Sequence, residues 1–340
     1  MTAHQMTTAN HLGLPERRIG PLTVGLQGLG CLGLSEFYGP VTEHDAVTVI
    51  RRALDLGVTL LDTADVYGHG DNERLVGRAV AGYRDRAVIA TKFGVVRPGP
   101  GVGTGIRADP AYVRESCDAS LRRLGVDHID LFQLTRADRT IPIEETAGAL
   151  ADLIEAGKIR AYGLCEVSPE TLRRAHAVAP VAALQSEWSL WSRDVERGAL
   201  AVCRELGITV IAYAPLGRGF LTGTVRSVEQ LGTEDFRRIG LPRFEPENLA
   251  GNLPLADRLI VLARRLGFTS AQLSLAWLHH QGPDVIPIPG TGRLGHLTEN
   301  AVAARLLLGP AELEAIAAAV PADQVHGDRW NPASTAYLNG

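Results

Sequence analysis

Cysteines and long apolar runs are both scarce in this sequence. The four cysteines are Cys31, Cys117, Cys165 and Cys203, and no two of them form a Cys-x-x-Cys pair. Scattered cysteines of this kind are typical of a reduced cytosolic protein and give no metal-binding spacing. There is no run of about eighteen apolar residues, which a membrane-spanning helix would need. We therefore expect a cytoplasmic protein with no metal site and no membrane partner.

Lysine is almost absent as well. Lysine and arginine together number 34, yet only Lys92 and Lys158 are lysines. The formal net charge is −4 and the arginines form no basic stripe, so we expect no nucleic-acid partner. GC-rich coding would explain the preference for arginine. A lysine kept beside a predicted strand nevertheless suggests a chemical role for Lys92.

Short β-branched apolar runs alternate with helical patterns along the chain. The predicted strands are Leu22–Leu26, Val58–Asp62, Ala87–Thr91, Ile129–Leu134, Ala161–Leu164, Ala182–Gln185, Ile208–Ala212 and Val285–Ile288. The predicted helices are Glu43–Leu56, Asn72–Ala81, Pro110–Leu124, Ile143–Ala156, Pro169–Ala177, Arg193–Leu206 and much of Leu253–Gln281. This alternation predicts an α/β fold, a single (β/α)8 TIM barrel of parallel strands.

The chain divides into a leader, a barrel and a tail. Residues 1–18 are polar and predict a disordered leader, residues 19–321 form the barrel, and residues 322–340 are an irregular tail that can fold over the active-site mouth. Two segments without a strand pattern, Arg97–Ile106 and Ala214–Leu253, predict long loops. Long loops at the C-terminal face of a barrel commonly carry function.

A Gly-x-Gly-x-x-Gly motif spans residues 28–33. In a Rossmann domain a helix follows this motif at once, but here a Gly39-Pro40 break intervenes and the first helical pattern starts near Glu43. The motif therefore does not predict a Rossmann domain. Its glycines let the first loop, with Gly30 and Cys31, approach a cofactor closely, or simply allow a tight turn.

Three polar residues follow two neighbouring predicted strands. Asp62 ends one strand and Tyr67 lies just beyond it, while Lys92 ends the next. In a parallel barrel these strand ends meet at one rim, where active sites form. A phenol has a pKa near ~10, and a nearby ammonium lowers it, so that the phenol can exchange a proton with a substrate oxygen. The trio therefore predicts general acid–base chemistry.

Several long blocks resemble one enzyme family in order and spacing. They are GLGCLGLSEFYG, LLDTADVYGHGDNERLVGRAV, ATKFG, LRRLGVDHIDLFQL, IEAGKIRAYGLCEVS, LQSEWSLWSRDVE, VIAYAPLGRGFLTG and IPIPGTGRLGHLTENAVAA. Over roughly residues 18–320 the chain resembles the aldo-keto reductases. The resemblance implies an oxidoreductase in which hydride comes from a nicotinamide cofactor. It places the catalytic aspartate, tyrosine and lysine on Asp62, Tyr67 and Lys92.

The resemblance also implies a cofactor site across the barrel mouth. Tyr213 matches the residue that stacks on nicotinamide, and Gln185 matches the residue that holds its carboxamide. The other implied cofactor residues are Gly30, Cys31, Cys165, Glu166, Leu216, Gly217, Arg218, Gly290, Thr291, Arg293, His296, Glu299 and Asn300. Gly290 and His296 occupy slots where the family grips the adenosine 2′-phosphate, and Arg293 can reach it instead. We expect NADP(H) in preference to NAD(H).

One catalytic position departs from the family pattern. Thr135 stands where the family has a histidine that donates a hydrogen bond to the substrate oxygen. Losing such a donor costs on the order of 10²–10³ in rate, although a threonine hydroxyl or a bridging water can donate instead. We expect reduction of a carbonyl on a small or medium organic molecule. Reduction of an activated C=C or C=N bond and a regulatory subunit with little turnover remain alternatives.

Overall fold

Eight parallel strands form the centre of the molecule. The computed structural model describes residues 15–97, 105–233 and 235–338. In spatial order the strands are β3 (Gly28–Gly30), β4 (Leu60–Asp62), β5 (Val88–Phe93), β8 (Ile129–Leu134), β9 (Ile159–Cys165), β10 (Ala183–Glu187), β11 (Thr209–Tyr213) and β12 (Val285–Pro287). A parallel bridge between Gly30 and Gly290 joins the first strand to the chain beyond the last. The predicted (β/α)8 barrel is confirmed.

The prediction for the first barrel strand was wrong. Leu22–Gly25 (β2) is a strand, but it pairs antiparallel with Glu16–Ile19 (β1) in a hairpin outside the barrel sheet. Ile19 packs with the inward-facing residues of the barrel, and the Arg18 carbonyl accepts a hydrogen bond from Thr209 at the start of β11. The hairpin therefore closes the N-terminal end of the barrel. Residues 16–18 of the predicted leader belong to it, and residues 1–14 lie outside the described residues.

The glycine motif forms the first barrel strand, at the point where the barrel closes. A Cβ on Gly30 would lie 2.9 Å from the Ile288 carbonyl oxygen, and one on Gly290 would lie 2.9 Å from the Gly30 oxygen. Contacts this short leave no room for a side chain. Both glycines are therefore required where the first barrel strand meets the chain after the last strand. The sequence analysis predicted a close approach to a cofactor or a tight turn for this motif, and not this contact between strands.

Helices surround the barrel between its strands. They are α1 (Glu43–Asp55), α2 (Asp71–Val80), α3 (Pro110–Leu124), α4 (Ile143–Glu155), α5 (Pro169–Val178), α6 (Ala199–Leu206), α7 (Phe236–Gly240), α8 (Pro246–Leu266), α9 (Ser270–His279), α10 (Leu294–Ala303), α11 (Pro310–Ala319) and α12 (Pro332–Thr335). Asp109 and Ser168 cap α3 and α5 by accepting backbone N–H bonds. Among the helices described, none is both long and apolar enough to cross a membrane.

Two predicted helices are broken by glycine. Gly198 has a φ of +152° and separates a 3-10 turn at Asp194–Arg197 from α6, so the predicted helix Arg193–Leu206 is wrong in its first part. Gly267, with a φ of +79°, likewise divides the predicted segment Leu253–Gln281 into α8 and α9. Glycine takes such angles readily, and an α-helix cannot continue through them.

The C-terminal ends of the strands carry the long connections. Val95–Val96 (β6) and Gly105–Ile106 (β7) form a short antiparallel hairpin, and residues 98–104 of this predicted loop lie outside the described residues. The described residues between β11 and α8 contain short helical turns and no strand, as predicted. The predicted end of this loop at Leu253 is wrong, because α8 begins at Pro246. Residues 322–338 run back across this same face, because Arg139 after β8 donates to the Leu338 carbonyl and Arg243 donates to Gly327.

Candidate active site

Asp62 and Tyr67 are held at the barrel rim by strand β4 and the turn after it. Asp62 is the last residue of β4 and is 3% exposed. Tyr67 begins a tight turn in which Gly68 and His69 have φ angles of +53° and +52°. A left-handed angle is uncommon for a residue with a side chain, so the turn is strained at His69. The turn keeps Tyr67 beside Asp62 instead of extending the strand.

The Lys92 ammonium joins the predicted catalytic residues. Its Nζ lies 2.5 Å from Asp62 Oδ2 and 3.3 Å from the Tyr67 hydroxyl oxygen, and it donates to the Thr63 carbonyl at 2.8 Å. Lys92 is 3% exposed. Burial alone would lower the pKa of Lys92, but the negative charge of Asp62, together with Tyr67, raises it above its ordinary value. The ammonium therefore stays charged within reach of the phenol.

The pKa of Tyr67 is raised in the structure, whereas the sequence predicted that a nearby ammonium would lower it. Burial raises the pKa of this phenol above its ordinary value, and the Lys92 ammonium only partly offsets that effect. Asp62 also raises it. Because a raised pKa keeps the hydroxyl protonated at neutral pH, Tyr67 is prepared to donate a proton.

The second oxygen of Asp62 is held by two glutamines. Gln185 Nε2 donates to Asp62 Oδ1 at 2.8 Å, and Gln133 Nε2 lies 3.4 Å from the same atom. Gln133 is a residue that the sequence reading missed. The available signal was a polar side chain inside the apolar strand β8, opposite Lys92 in the register of β5. These contacts fix the Asp62 carboxylate from both sides.

Thr135 lies at the same rim, directly after β8. Its N–H donates to the Phe93 carbonyl at 2.8 Å, next to Lys92. Its hydroxyl oxygen is buried and has no hydrogen-bond partner within the part of the chain that the structure describes. A buried hydroxyl without a partner is unfavourable, so Thr135 has an unused hydrogen-bonding group at the rim.

Asn72, at the start of α2, supports the rim from behind. This buried side chain accepts from the Thr63 hydroxyl at 2.6 Å and donates to the Cys31 carbonyl at 2.9 Å and to the Ser35 hydroxyl at 2.8 Å. It thereby links the chain after β3 to the chain after β4. The Cys31 side chain is fully buried, and its sulfur faces the Leu29 carbonyl, so only the backbone of Cys31 is placed to approach a cofactor.

Four predicted cofactor residues come together at the ends of β9, β10 and β11. Cys165 and Gln185 are buried beside the catalytic residues, and burial raises the pKa of the Cys165 thiol to about 12. The Tyr213 hydroxyl donates to Glu166 Oε1 at 2.8 Å, and the ring is only partly buried. Glu166 also accepts two bonds from Arg329, each of 2.8 Å. Arg329 belongs to the tail, and the sequence reading did not identify it.

Leu216, Gly217 and Arg218, where the resemblance implies contact with the cofactor pyrophosphate, form a loop beside this group. Arg218, with a φ of +57°, donates to the carboxylate of Glu187 at 2.9 Å, and both side chains are buried. The Trp330 ring of the tail lies 4.9 Å from the Arg218 guanidinium carbon. Neighbouring Leu216 and Gly217 complete the turn. Because Glu187 already neutralises Arg218, its guanidinium is less available to a phosphate than we expected.

The remaining predicted residues lie around the start of α10. Arg293 and His296 are exposed there, and the Thr291 hydroxyl accepts from the Arg293 backbone N–H at 3.1 Å. Glu299 accepts a bond of 2.5 Å from Thr269, the residue that caps α9. Asn300 is buried. The side chains of Arg293 and His296 are thus accessible from solvent, while Glu299 has a structural partner.

Solved structures with the same fold are oxidoreductases. The glycerol dehydrogenase AKR11B4 from Gluconobacter oxydans is 31% identical, with a TM-score of 0.82 over 93% of this chain and 98% of that one. An aldo-keto reductase from Klebsiella pneumoniae in complex with NADPH is 28% identical, with a TM-score of 0.73 over 94% and 99%. An aldo/keto reductase of the same organism, in complex with NADP and acetate, is 28% identical, with a TM-score of 0.70 over 91% and 95%.

The family comparison agrees with the site. The sequence matches the model of the Aldo/keto reductase family over residues 27–321, which include the barrel strands and the trio Asp62, Tyr67 and Lys92. In the structure the Lys92 ammonium contacts both other members, Asp62 and Tyr67. This chain belongs to the aldo/keto reductase family.

Proposed function

We propose that this protein is an NADP(H)-dependent oxidoreductase that reduces the carbonyl group of a small or medium organic molecule, with Tyr67 as the proton donor. The observation that carries this proposal is the placement of the Lys92 ammonium against both Asp62 and Tyr67 at the barrel mouth. The similar structures in complex with NADP and NADPH support the choice of cofactor.

Each member of the trio has a separate task in this mechanism. The cofactor, when bound, supplies a hydride to the carbonyl carbon. The Tyr67 hydroxyl donates a hydrogen bond and then its proton to the carbonyl oxygen, which yields the alcohol. Lys92 stabilises the phenolate that remains, and Asp62 keeps the ammonium charged and in place. A solvent proton then restores Tyr67, and oxidation of an alcohol follows the reverse course.

The rim has groups that fit a nicotinamide dinucleotide. The partly exposed ring of Tyr213 offers a flat surface for a heteroaromatic ring, and its hydroxyl is already anchored. Gln185 uses its N–H toward Asp62, which leaves its carbonyl oxygen for a carboxamide N–H. At the N-terminus of α10, the Arg293 guanidinium provides a cation and the His296 ring provides an N–H group for the 2′-phosphate.

Replacement of Tyr67 tests the proposal. We expect the wild type to consume NADPH with activated aldehydes, and Tyr67→Phe to lower kcat by about 10²–10⁴-fold with little change in NADPH affinity, because only the proton donor is lost. Tyr83→Phe is the matched control, since Tyr83 packs against Arg51 and Arg86 on the outside of the barrel. Unchanged turnover in Tyr67→Phe would rule out the mechanism.

Thr135, in the position where the family has a histidine, supports a second candidate, reduction of an activated C=C or C=N bond. A histidine is not available at this position to orient a carbonyl oxygen. A panel of aldehydes, enones and cyclic imines, assayed with the wild type and Thr135→His, separates the two reactions. Aldehyde turnover by the wild type favours carbonyl reduction. If enones or imines react with the wild type and aldehydes react only with Thr135→His, the second candidate is favoured.

A further inference from the structure

Arg329 forms a buried ion pair with Glu166 at the barrel mouth. Its two terminal nitrogens each donate to one oxygen of Glu166 at 2.8 Å. The side chains of Arg329 and Glu166 are only 9% and 3% exposed. A second carboxylate, that of Asp194, lies 3.6 Å from Arg329 Nε. Arg329 of the tail thus contacts two segments of the barrel that are both far from it in sequence.

Glu166 passes this contact on to Tyr213. Its Oε1 accepts from the Tyr213 hydroxyl at 2.8 Å and from the Glu187 backbone N–H at 2.9 Å. Burial would raise the pKa of Glu166, but Arg329 brings it below its ordinary value, so the carboxylate remains charged. A charged carboxylate that already accepts these bonds fixes the far end of the Tyr213 side chain.

The tail is attached on both sides of Arg329. Before it, His326 and Asn252 exchange two hydrogen bonds of 2.8 and 2.9 Å, and the Gly327 carbonyl accepts from Arg243 at 3.2 Å. After it, the Leu338 carbonyl accepts from Arg139 at 3.1 Å. Opening the tail would break these bonds and leave Glu166 buried without its counter-charge, which is strongly unfavourable. The tail is therefore a fixed wall of the site and not a lid that opens in each catalytic cycle.

We propose that Arg329 is a positioning residue of the reaction, which acts through Glu166 to hold the Tyr213 ring in place for the nicotinamide. This inference rests on the proposed function, because it requires a nicotinamide ring at Tyr213. The resemblance places Glu166 among the cofactor-binding residues, and this proposal makes it the anchor of the wall of the site.

The test is direct NADPH binding to Arg329→Met, which removes the charge and keeps the length of the side chain. Without its anchor, the Tyr213 side chain must be ordered when the cofactor binds. We expect Kd for NADPH to rise about three- to tenfold, with a similar rise in KM and a smaller change in kcat at saturating NADPH. Arg329→Lys should recover part of the affinity. Arg258→Met is the matched control, because Arg258 contacts the base of the tail at Ala319 and Gln324.

A double-mutant cycle separates this role from general stability. Tyr213→Phe keeps the ring and removes its bond to Glu166, so Arg329→Met should add little to the Kd of a Tyr213→Phe protein. If Arg329→Met folds poorly, the doubly neutral variant Arg329→Met with Glu166→Met removes both charges, and it should show the same rise in Kd.

Three outcomes overturn the inference. The first is an Arg329→Met protein whose Kd and KM for NADPH equal those of the wild type. The second is tighter NADPH binding by Arg329→Met, which would be expected if the tail were a lid. The third is a double-mutant cycle in which the effects of Arg329→Met and Tyr213→Phe on Kd are fully additive. If the wild type itself does not bind NADPH in the same assay, the proposed function fails, and the inference fails with it.

Discussion

Asp65 is an acidic residue between Asp62 and Tyr67, and its side chain takes no part in the hydrogen bonds of the Asp62 carboxylate and the Lys92 ammonium. Its Oδ1 atom is buried without a hydrogen-bond partner in the described part of the chain. Burial and, to a smaller extent, the nearby charge of Glu73 together raise the pKa of the Asp65 carboxyl to about 7, against the opposing effect of Arg123. Protonation of Asp65 therefore stabilises the fold at acidic pH.

The stability of Asp65→Asn should depend on pH in a defined direction. The folded-state pKa is above the unfolded value near ~3.9, so the stabilisation is complete below that value and is lost as the pH rises through 7. Asparagine resembles the protonated acid at every pH. We expect the free energy of unfolding of Asp65→Asn, relative to the wild type, to grow by about 3 kcal/mol between pH 5 and pH 8.5. Urea unfolding of both proteins at pH 5 and pH 8.5 measures this change. If the variant and the wild type differ in stability by the same amount at both pH values, the raised pKa of Asp65 is contradicted.

Single residues were predictable where strand ends and motif spacing placed them. Asp62, Tyr67 and Lys92 follow two neighbouring strands, so local patterns and parallel topology were sufficient. Arg329 was not predictable, because 163 positions separate it from Glu166 and no periodic pattern relates the two. The pKa of Tyr67 was also missed, since burial at the rim depends on how the surrounding side chains pack.

At the level of the element, α2 connects the barrel rim that carries Asp62 and Lys92 to the outer layer of helices. Its buried Glu73 accepts from the Thr91 hydroxyl, beside Lys92, at 2.6 Å and from Arg123 of α3 at 2.5 Å. Close packing of α2 on α3 makes this possible. Gly77 lies at the contact, where a Cβ would be 2.1 Å from the Leu124 carbonyl oxygen. The absence of a side chain at Gly77 thus sets the distance between the two helices.

Two helical glycines should respond in opposite ways to alanine. Alanine favours a helix over glycine by about 1 kcal/mol at either site. At Gly77 the new methyl group clashes with backbone, so we expect Gly77→Ala to lose about 1–3 kcal/mol of stability. Gly148 of α4 has open space around its Cβ position, and Gly148→Ala should gain about 0.5–1 kcal/mol. Urea unfolding of both variants checks this, and a stabilised Gly77→Ala would show that α2 shifts freely.

Element prediction succeeded where a pattern was both local and long. The helix Pro110–Leu124 and the strand Ile129–Leu134 have the predicted bounds, because amphipathic period and apolar runs define them. The strand Leu22–Gly25 carries a similar apolar signal, but it forms a hairpin outside the barrel. A strand pattern indicates that a segment is extended and does not specify its partner, so the glycine-rich first strand of the barrel was missed.

At the level of the whole molecule, a neutral histidine lies near the closed end of the barrel. His279 of α9 is 8% exposed, and neither ring nitrogen has a hydrogen-bond partner among the residues described. Burial and, to a smaller extent, the charge of Arg17 in the closing hairpin together lower the pKa of His279 to about 3. The folded protein therefore excludes a proton that the unfolded chain would bind.

Acid should destabilise the whole fold partly through this residue. Between pH 6.5 and 3 the unfolded state binds one more proton at His279, so stability falls by about 1.4 kcal/mol per pH unit, or about 2 kcal/mol by pH 5. His279→Leu removes the difference in proton binding between the folded and unfolded states and places an apolar side chain in the core. Its unfolding free energy should therefore decline less steeply than that of the wild type between pH 7 and pH 5. His44→Leu, at an exposed position on α1, is the control for loss of a histidine. If His279→Leu and the wild type decline in parallel, other groups determine the acid sensitivity of the barrel.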